Sequence, residues 1–239
     1  MTGSQHTIAG QVVTMPVKIR KAEQHMAMFS VDADAAQQMI DYSGLRVCRY
    51  RPGRAIVVLM LMHYVDGDLG QYYEFGTNVM VNPPGSNATG LRALQSAGAF
   101  IHHLPVDQEF TLEAGRKIWG FPKVMADFTI RDGRQFGFDL TIDGQFVIGM
   151  EFSRGLPIPL TPRTQAQRSY SHRDGVTRET AFEMTSTGVR NRPRGMRMRL
   201  GDHPYAKELA ALGLPKPAML SSSIDNVQMS FDDAREVSQ

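Results

Sequence analysis

Among its 239 residues the chain has one cysteine, Cys48. A lone thiol cannot close an internal disulfide, and it excludes any metal site built from cysteines alone. A reducing, cytoplasmic setting is therefore expected, with Cys48 a buried inert thiol, since no activating partner stands near it in sequence. Long apolar runs are also missing. The longest, Ala55 to Met62, falls far short of the ~20 residues that cross a bilayer as a helix, so no membrane partner is expected. The opening M-T-G-S-Q-H-T has no basic segment leading into an apolar one and does not read as a secretory signal.

Excess charge of either sign is missing as well. A formal charge of +2 gives no reason to expect a nucleic-acid partner. The one arginine cluster, R-N-R-P-R-G-M-R-M-R at 190–199, has no interleaved aromatics on which bases could stack. Met196 and Met198 alternate there with Arg197 and Arg199, which reads as a solvated strand edge or a subunit contact. There is no G-x-G-x-x-G, P-loop, H-E-x-x-H or G-x-S-x-G. Ser171, His172 and Asp174 share one polar loop, whereas a triad needs members that converge in space, so this segment reads as a surface turn. His102 and His103 are adjacent. On a regular strand they point to opposite faces and cannot share one ion from the same side.

What is present is an ordinary globular composition, 42% apolar and 21% charged. Runs rich in β-branched and apolar residues predict strands over 12–20, 24–31, 46–50, 55–65, 72–81, 97–106, 123–130, 136–142 and 145–152. The D-G pairs at 132–133 and 143–144 predict consecutive hairpins over 123–152. Helices are few. Asp32 or Asp34 caps one running to Ile40, and Asp107 or Thr111 starts another through Lys117. Pro204 opens a third that ends before Gly213. With no linker or repeat, the expectation is a single domain over 1–239. It is mostly β (α+β), a closed, barrel-like sheet with a few short helices. The first ten residues and the last few are expected to be mobile.

One segment carries chemistry. In G-R-K-I-W-G-F-P-K-V-M, residues 115–125, Lys123 lies among Ile118, Trp119, Phe121, Val124 and Met125. Burial disfavours the charged amine, and a neutral amine condenses with ketones to form a Schiff base. Being half neutral near pH 7 requires lowering the amine by about 3.4 pH units, or about 4.6 kcal/mol. Burial alone can supply that. On the predicted strand Y-Y-E-F-G-T-N-V, Tyr72, Glu74, Gly76 and Asn78 share one face. The pattern by itself assigns Glu74 only to the polar side.

The segment resembles the acetoacetate decarboxylase family, whose G-R-E-x-x-x-x-P-K ends in the Schiff-base lysine. Lys123 falls on that lysine, with Gly115, Arg116 and Pro122 matching around it, and Glu74 falls on a family glutamate. L-P-K-P-A-M-L-S-S-S at 214–223 is similar to a further family segment. The resemblance implies a β-cone or closed barrel, a homo-oligomer and a small keto acid as substrate. It implies Lys123 and Glu74 as catalytic residues. Arg116, Trp119, Phe121, Met125 and, as a loose match, Arg20 would bind substrate. No metal or organic cofactor is required. Departures are present too: Val124 replaces a second lysine, Lys117 replaces the glutamate of G-R-E, and a second strand carboxylate is missing, with Leu59 nearest its place. Three functions follow: decarboxylation of a β-keto acid such as acetoacetate, a pyruvate-dependent aldolase-dehydratase using the same lysine, or a non-catalytic small-molecule binder.

Overall fold

The computed structural model describes residues 3–159 and 161–237. Its strands are β1 (Gln5–Ile8), β2 (Gln11–Thr14), β3 (Val17–Asp32), β4 (Arg54–Gly67), β5 (Tyr72–Val81), β6 (Gly98–Val106), β7 (Lys123–Met125) and β8 (Asp127–Arg131). They continue with β9 (Phe136–Ile142), β10 (Gln145–Phe152), β11 (Leu156–Pro157), β12 (Gln165–Arg173), β13 (Val176–Arg192), β14 (Met196–Leu200) and β15 (Leu220–Glu236). The helices are α1 (Ala33–Ile40), α2 (Glu109–Trp119) and α3 (Pro204–Ala211).

Seven strands close into a barrel in the order β13-β12-β6-β5-β4-β3-β15, because β15 returns to pair with β13. Closure removes the free edges that an open sheet would expose. Short β7 lies beside β6 in parallel. A separate four-stranded sheet, β14-β10-β9-β8, packs outside. The wall between has two apolar faces. Outward, Phe75, Val79 and Val81 of β5 join Phe29, Phe100, Phe138 and Leu140. Inward, Tyr72 joins Met62, Tyr64, Ile19 and Leu104. Burial on both faces explains why these strands read as near-continuous apolar runs.

The closed, mostly β fold agrees with the expectation, and the local differences have physical causes. The predicted break between Arg20 and Gln24 does not occur, since β3 runs through K-A-E with register shifts at Lys21 and Ala22. Residues 46–50 form no strand; their backbone pairs with the sheet at a single bridge from Val47 to Val81, and the Tyr50 hydroxyl donates to Ser30 Oγ of β3 at 2.8 Å. The predicted hairpin unit over 123–152 divides at Ala126, with β7 in the barrel and β8 in the outer sheet. Asp143 and Gly144 both have positive φ, 50° and 74°, as a two-residue hairpin turn requires. Asp32 caps α1 as expected. Gln108, not Asp107 or Thr111, caps α2, while Asp107 accepts the Tyr73 N–H at 2.8 Å. The arginine cluster does end in an edge strand, β14, where Arg199 meets Asp139. Expected mobility at the start is corrected for residues 5–8, which pair with β2 and bury Ile8 at 1% exposure. Residues 1–2 and 238–239 lie outside the described residues.

Half-buried His25 stacks on Phe136, with centroids 3.7 Å apart, and its Nδ1 lies 2.9 Å from Ser223 Oγ. Burial pushes the ring down to about 4 from an ordinary 6.5. Between these two values the unfolded chain binds the extra proton, so stability falls as pH falls through the window. About 3 kcal/mol is expected to be lost between pH 6.5 and 4. Urea unfolding of His25→Gln against the parent checks this: the parent's acid slope should flatten in the variant, and parallel slopes would refute the assignment.

Candidate active site

Lys123 stands at the floor of the barrel and is 2% exposed. Three local features put it there. Gly120, at φ 63°, ends α2 in the left-handed region and turns the chain back. Phe121 N–H then donates to the Gly115 carbonyl at 3.0 Å, and Lys123 N–H donates to Phe121 at 2.8 Å, folding the chain tightly around Pro122. Finally, Lys123 pairs in parallel with Leu104, so its side chain enters the barrel. That side chain lies flat on the helix at Gly115, where any Cβ would stand 2.6 Å from Lys123 Cδ and Cε.

The amine meets Glu74 Oε2 at 2.8 Å and donates to Thr111 Oγ1 at 2.8 Å. It lies 5.1 Å from the Tyr72 ring centroid. Glu74, itself buried, accepts the Tyr64 hydroxyl on Oε1 at 2.9 Å. Burial pushes the Lys123 amine below its ordinary value; Glu74 pulls the other way, and burial prevails. Burial, reinforced by the charge of Glu74, pushes the phenols of Tyr64 and Tyr72 well above theirs. Both tyrosines therefore stay protonated and available as donors.

Above this floor opens a cavity of about 280 Å³. Trp119 and Phe121, stacked at 5.5 Å, form part of its lining. The Trp119 indole N–H is anchored on the Asp232 carbonyl at 2.8 Å.

Three predicted substrate-binding residues are elsewhere. Arg20 is exposed and engaged with Asp66 and Asp68 on the outside of the barrel, because strand alternation sends Ile19 inward and Arg20 outward. The Arg116 guanidinium donates twice to the Lys123 carbonyl, at 2.9 and 2.6 Å. It therefore clasps the loop and does not line the cavity. Met125 is 40% exposed, since β7 enters the wall with Lys123 and then runs towards solvent. Val124 is 37% exposed and faces away from the cavity, so it neither activates nor desolvates Lys123. Leu59 points into the outer core. The β4 residues that face the cavity are Val58, Met60, Met62 and Tyr64, with no carboxylate among them.

The expected opposition of His102 and His103 is also corrected. Asn78 pairs with Ile101 and Thr77 with His103, so His102 is the extra residue of a bulge. Both rings consequently leave the barrel on the outer side. Each Nε2 lies 2.7 Å from Glu208 Oε2 of α3, and Tyr42 meets His102 Nδ1 at 2.9 Å. The cluster ties α3 to the barrel wall, on the other side from Lys123.

Sequence reasoning missed Tyr64 and Thr111. Tyr72 shared a face with Glu74 in the pattern, so its place was readable. Thr111 carries no sequence signal beyond that of a possible helix start.

A closed barrel with an apolar cavity and a lysine–carboxylate pair at its floor defines the class of protein. The chain belongs to the acetoacetate decarboxylase family: the family described as Acetoacetate decarboxylase (ADC) matches residues 5–233. Its fold is similar to that of acetoacetate decarboxylase from Legionella pneumophila, at 17% identity over 93% of this chain and 87% of that one, with a TM-score of 0.69. It is also similar to the enduracididine biosynthesis enzyme MppR complexed with pyruvate, at 17% identity, 95% and 92% coverage and a TM-score of 0.66. An acetoacetate decarboxylase-like enzyme from Sphingomonas wittichii gives 13% identity, 99% and 100% coverage and a TM-score of 0.59. Comparison with curated proteins gives no match. The coarse expectation, an acetoacetate decarboxylase-like enzyme on a closed barrel, holds.

Proposed function

We propose that the chain is a lyase that forms a Schiff base through Lys123 and decarboxylates a β-keto acid. The observation that carries this is the 2.8 Å contact between a fully enclosed lysine amine and Glu74 at the foot of an apolar cavity. Two facing charges in such a place are costly. Moving one proton from Nζ to Oε2 neutralises both at once, and it leaves a nucleophilic amine beside an acid.

The amine adds to the substrate carbonyl. Glu74 returns its proton to the carbinolamine hydroxyl, which leaves as water, giving a protonated iminium opposite the Glu74 carboxylate. The bond to the substrate carboxylate then breaks. Its electron pair moves toward the iminium, CO2 departs and an enamine remains. One proton from solvent, relayed through Glu74, is added to the enamine carbon, and water hydrolyses the resulting iminium to release the ketone. Tyr64 holds Glu74 in position by donating to its other oxygen.

The second reading, a pyruvate aldolase-dehydratase, is favoured by one observation. The β4 residues that face the cavity, Val58, Met60, Met62 and Tyr64, bring no second carboxylate to the lysine, which departs from the decarboxylase pattern. In that reaction Glu74 as carboxylate removes a proton from the pyruvate iminium, and the enamine attacks an aldehyde. The condensed alcohol then loses water.

Borohydride reduction with acetoacetate and, separately, pyruvate tests both readings by mass. Each ketone should leave a reduced adduct at Lys123 that weighs the ketone less its carbonyl oxygen, less CO2 as well where acetoacetate has been decarboxylated, and Lys123→Ala should take up none. Glu74→Gln should slow adduct formation by about 10² to 10⁴-fold, the usual contribution of a positioned acid–base group. Rapid CO2 release from acetoacetate supports the first reading. Pyruvate trapping without CO2 release from acetoacetate moves the assignment to the second. A folded protein that traps neither is a binder.

A further inference from the structure

We infer that the carbonyl compound taken by Lys123 carries a long apolar substituent, an alkyl or aryl group of about five to ten carbons, lying along the barrel away from the lysine. This rests on the Schiff-base reading above and adds the substrate class to it.

The cavity is far larger than a four-carbon keto acid needs. A pocket of about 150 Å³ accepts benzene, and this one holds about 280 Å³. It is also long. On β5 the cavity-facing residues run from Tyr72 and Glu74 at the lysine through Asn78 to Met80, six residues beyond Glu74. Six residues of strand rise span about 20 Å. Glu74 lies with Tyr64, Leu69 and Tyr72 at the buried end beside Lys123. Met80, Ala99 and Arg168 mark the far end, where the first two are half-buried and Arg168 is exposed.

Its walls suit a hydrocarbon. Six methionines, Met26, Met60, Met62, Met80, Met184 and Met229, face the cavity. Their unbranched thioethers adapt to chains of varied shape. Pairing sets three of them in one band across the wall, since Met62 pairs with Glu74, Met60 with Gly76, and Met26 with Met60. That band starts at the reacting end and continues towards the opening. A small, fully polar substrate would leave most of this wall against water, whereas an alkyl chain would cover it.

Each methylene moved from water to such a wall should strengthen binding about threefold to fourfold. From 3-oxobutanoate to 3-oxooctanoate the concentration giving half-maximal borohydride trapping should fall about 100-fold, and 3-oxo-3-phenylpropanoate should trap nearly as well as the eight-carbon acid. Met26→Asn/Met60→Asn should flatten this chain-length dependence, with folding checked by circular dichroism. If that variant does not fold, Met80→Ser reads out the open end in the same assay. Trapping of the short acid at Lys123 with no gain from added methylenes overturns the inference and leaves the Schiff-base reading standing. No trapping at any chain length overturns both.

Discussion

Replacing Lys123 with methionine is expected to abolish every borohydride-trapped adduct and to cost the fold about 3–5 kcal/mol, the usual cost of stranding one member of a buried ion pair. Replacing both members, Lys123→Met with Glu74→Leu, should return stability to the parent level or exceed it by about 1–4 kcal/mol. The reason lies in the surroundings. Glu74 and Lys123 are 7% and 2% exposed among Tyr64, Tyr72, Met62 and Leu104. A lone Glu74 would keep only Tyr64 as a partner, and a lone Lys123 only Thr111. Two apolar side chains leave no polar group to satisfy. Urea unfolding of the two single variants and the double variant, beside the trapping assay, measures the coupling. If the double variant loses the sum of the two single losses, the pair is not an opposed charge pair maintained for chemistry at the expense of stability.

The same pair shows how much could be read from the sequence. An apolar run around Lys123 and the period-2 face of Glu74 were enough to expect one buried and the other polar-side. Their meeting required the barrel to close, and no local pattern encodes the register that sets Glu74 opposite Val106 two residues from the Leu104–Lys123 pair. Arg116 failed for a different reason. A guanidinium next to a lysine motif invites a substrate carboxylate, but the chain that turns back after α2 also offers carbonyls, and that of Lys123 at the start of β7 is the one it took. The long strands β12, β13 and β15 carry many serines, threonines and charges on half-buried faces. Their apolar alternation is too weak to mark them. The bulge at His102 was invisible for a further reason: one extra residue in one strand shows only against its partner's register.

Gly115→Ala is expected to slow iminium trapping about 100-fold and to destabilise the protein by about 1–3 kcal/mol. On propensity alone the change should help, since alanine in a helix interior exceeds glycine by about 0.5–1 kcal/mol. Helix α2 is continuous through Gly115, so no left-handed backbone requires glycine there. What requires it is the lysine. A Cβ at 115 would stand 2.6 Å from Lys123 Cδ and Cε and 3.3 Å from Nζ. A free lysine would swing aside, but this one is held at its tip by Glu74 and Thr111 and at its carbonyl by Arg116. The helix is held too, by the Phe121 N–H on the Gly115 carbonyl. Something must give by a large part of an ångström, and the amine is the least covalently constrained part. A displacement of about 1 Å in a reacting group is worth about 100-fold in rate. Trapping kinetics, adduct mass and thermal melting of Gly115→Ala decide it. A variant that traps at the parental rate and melts higher would show that the lysine does not depend on the bare helix face beneath it.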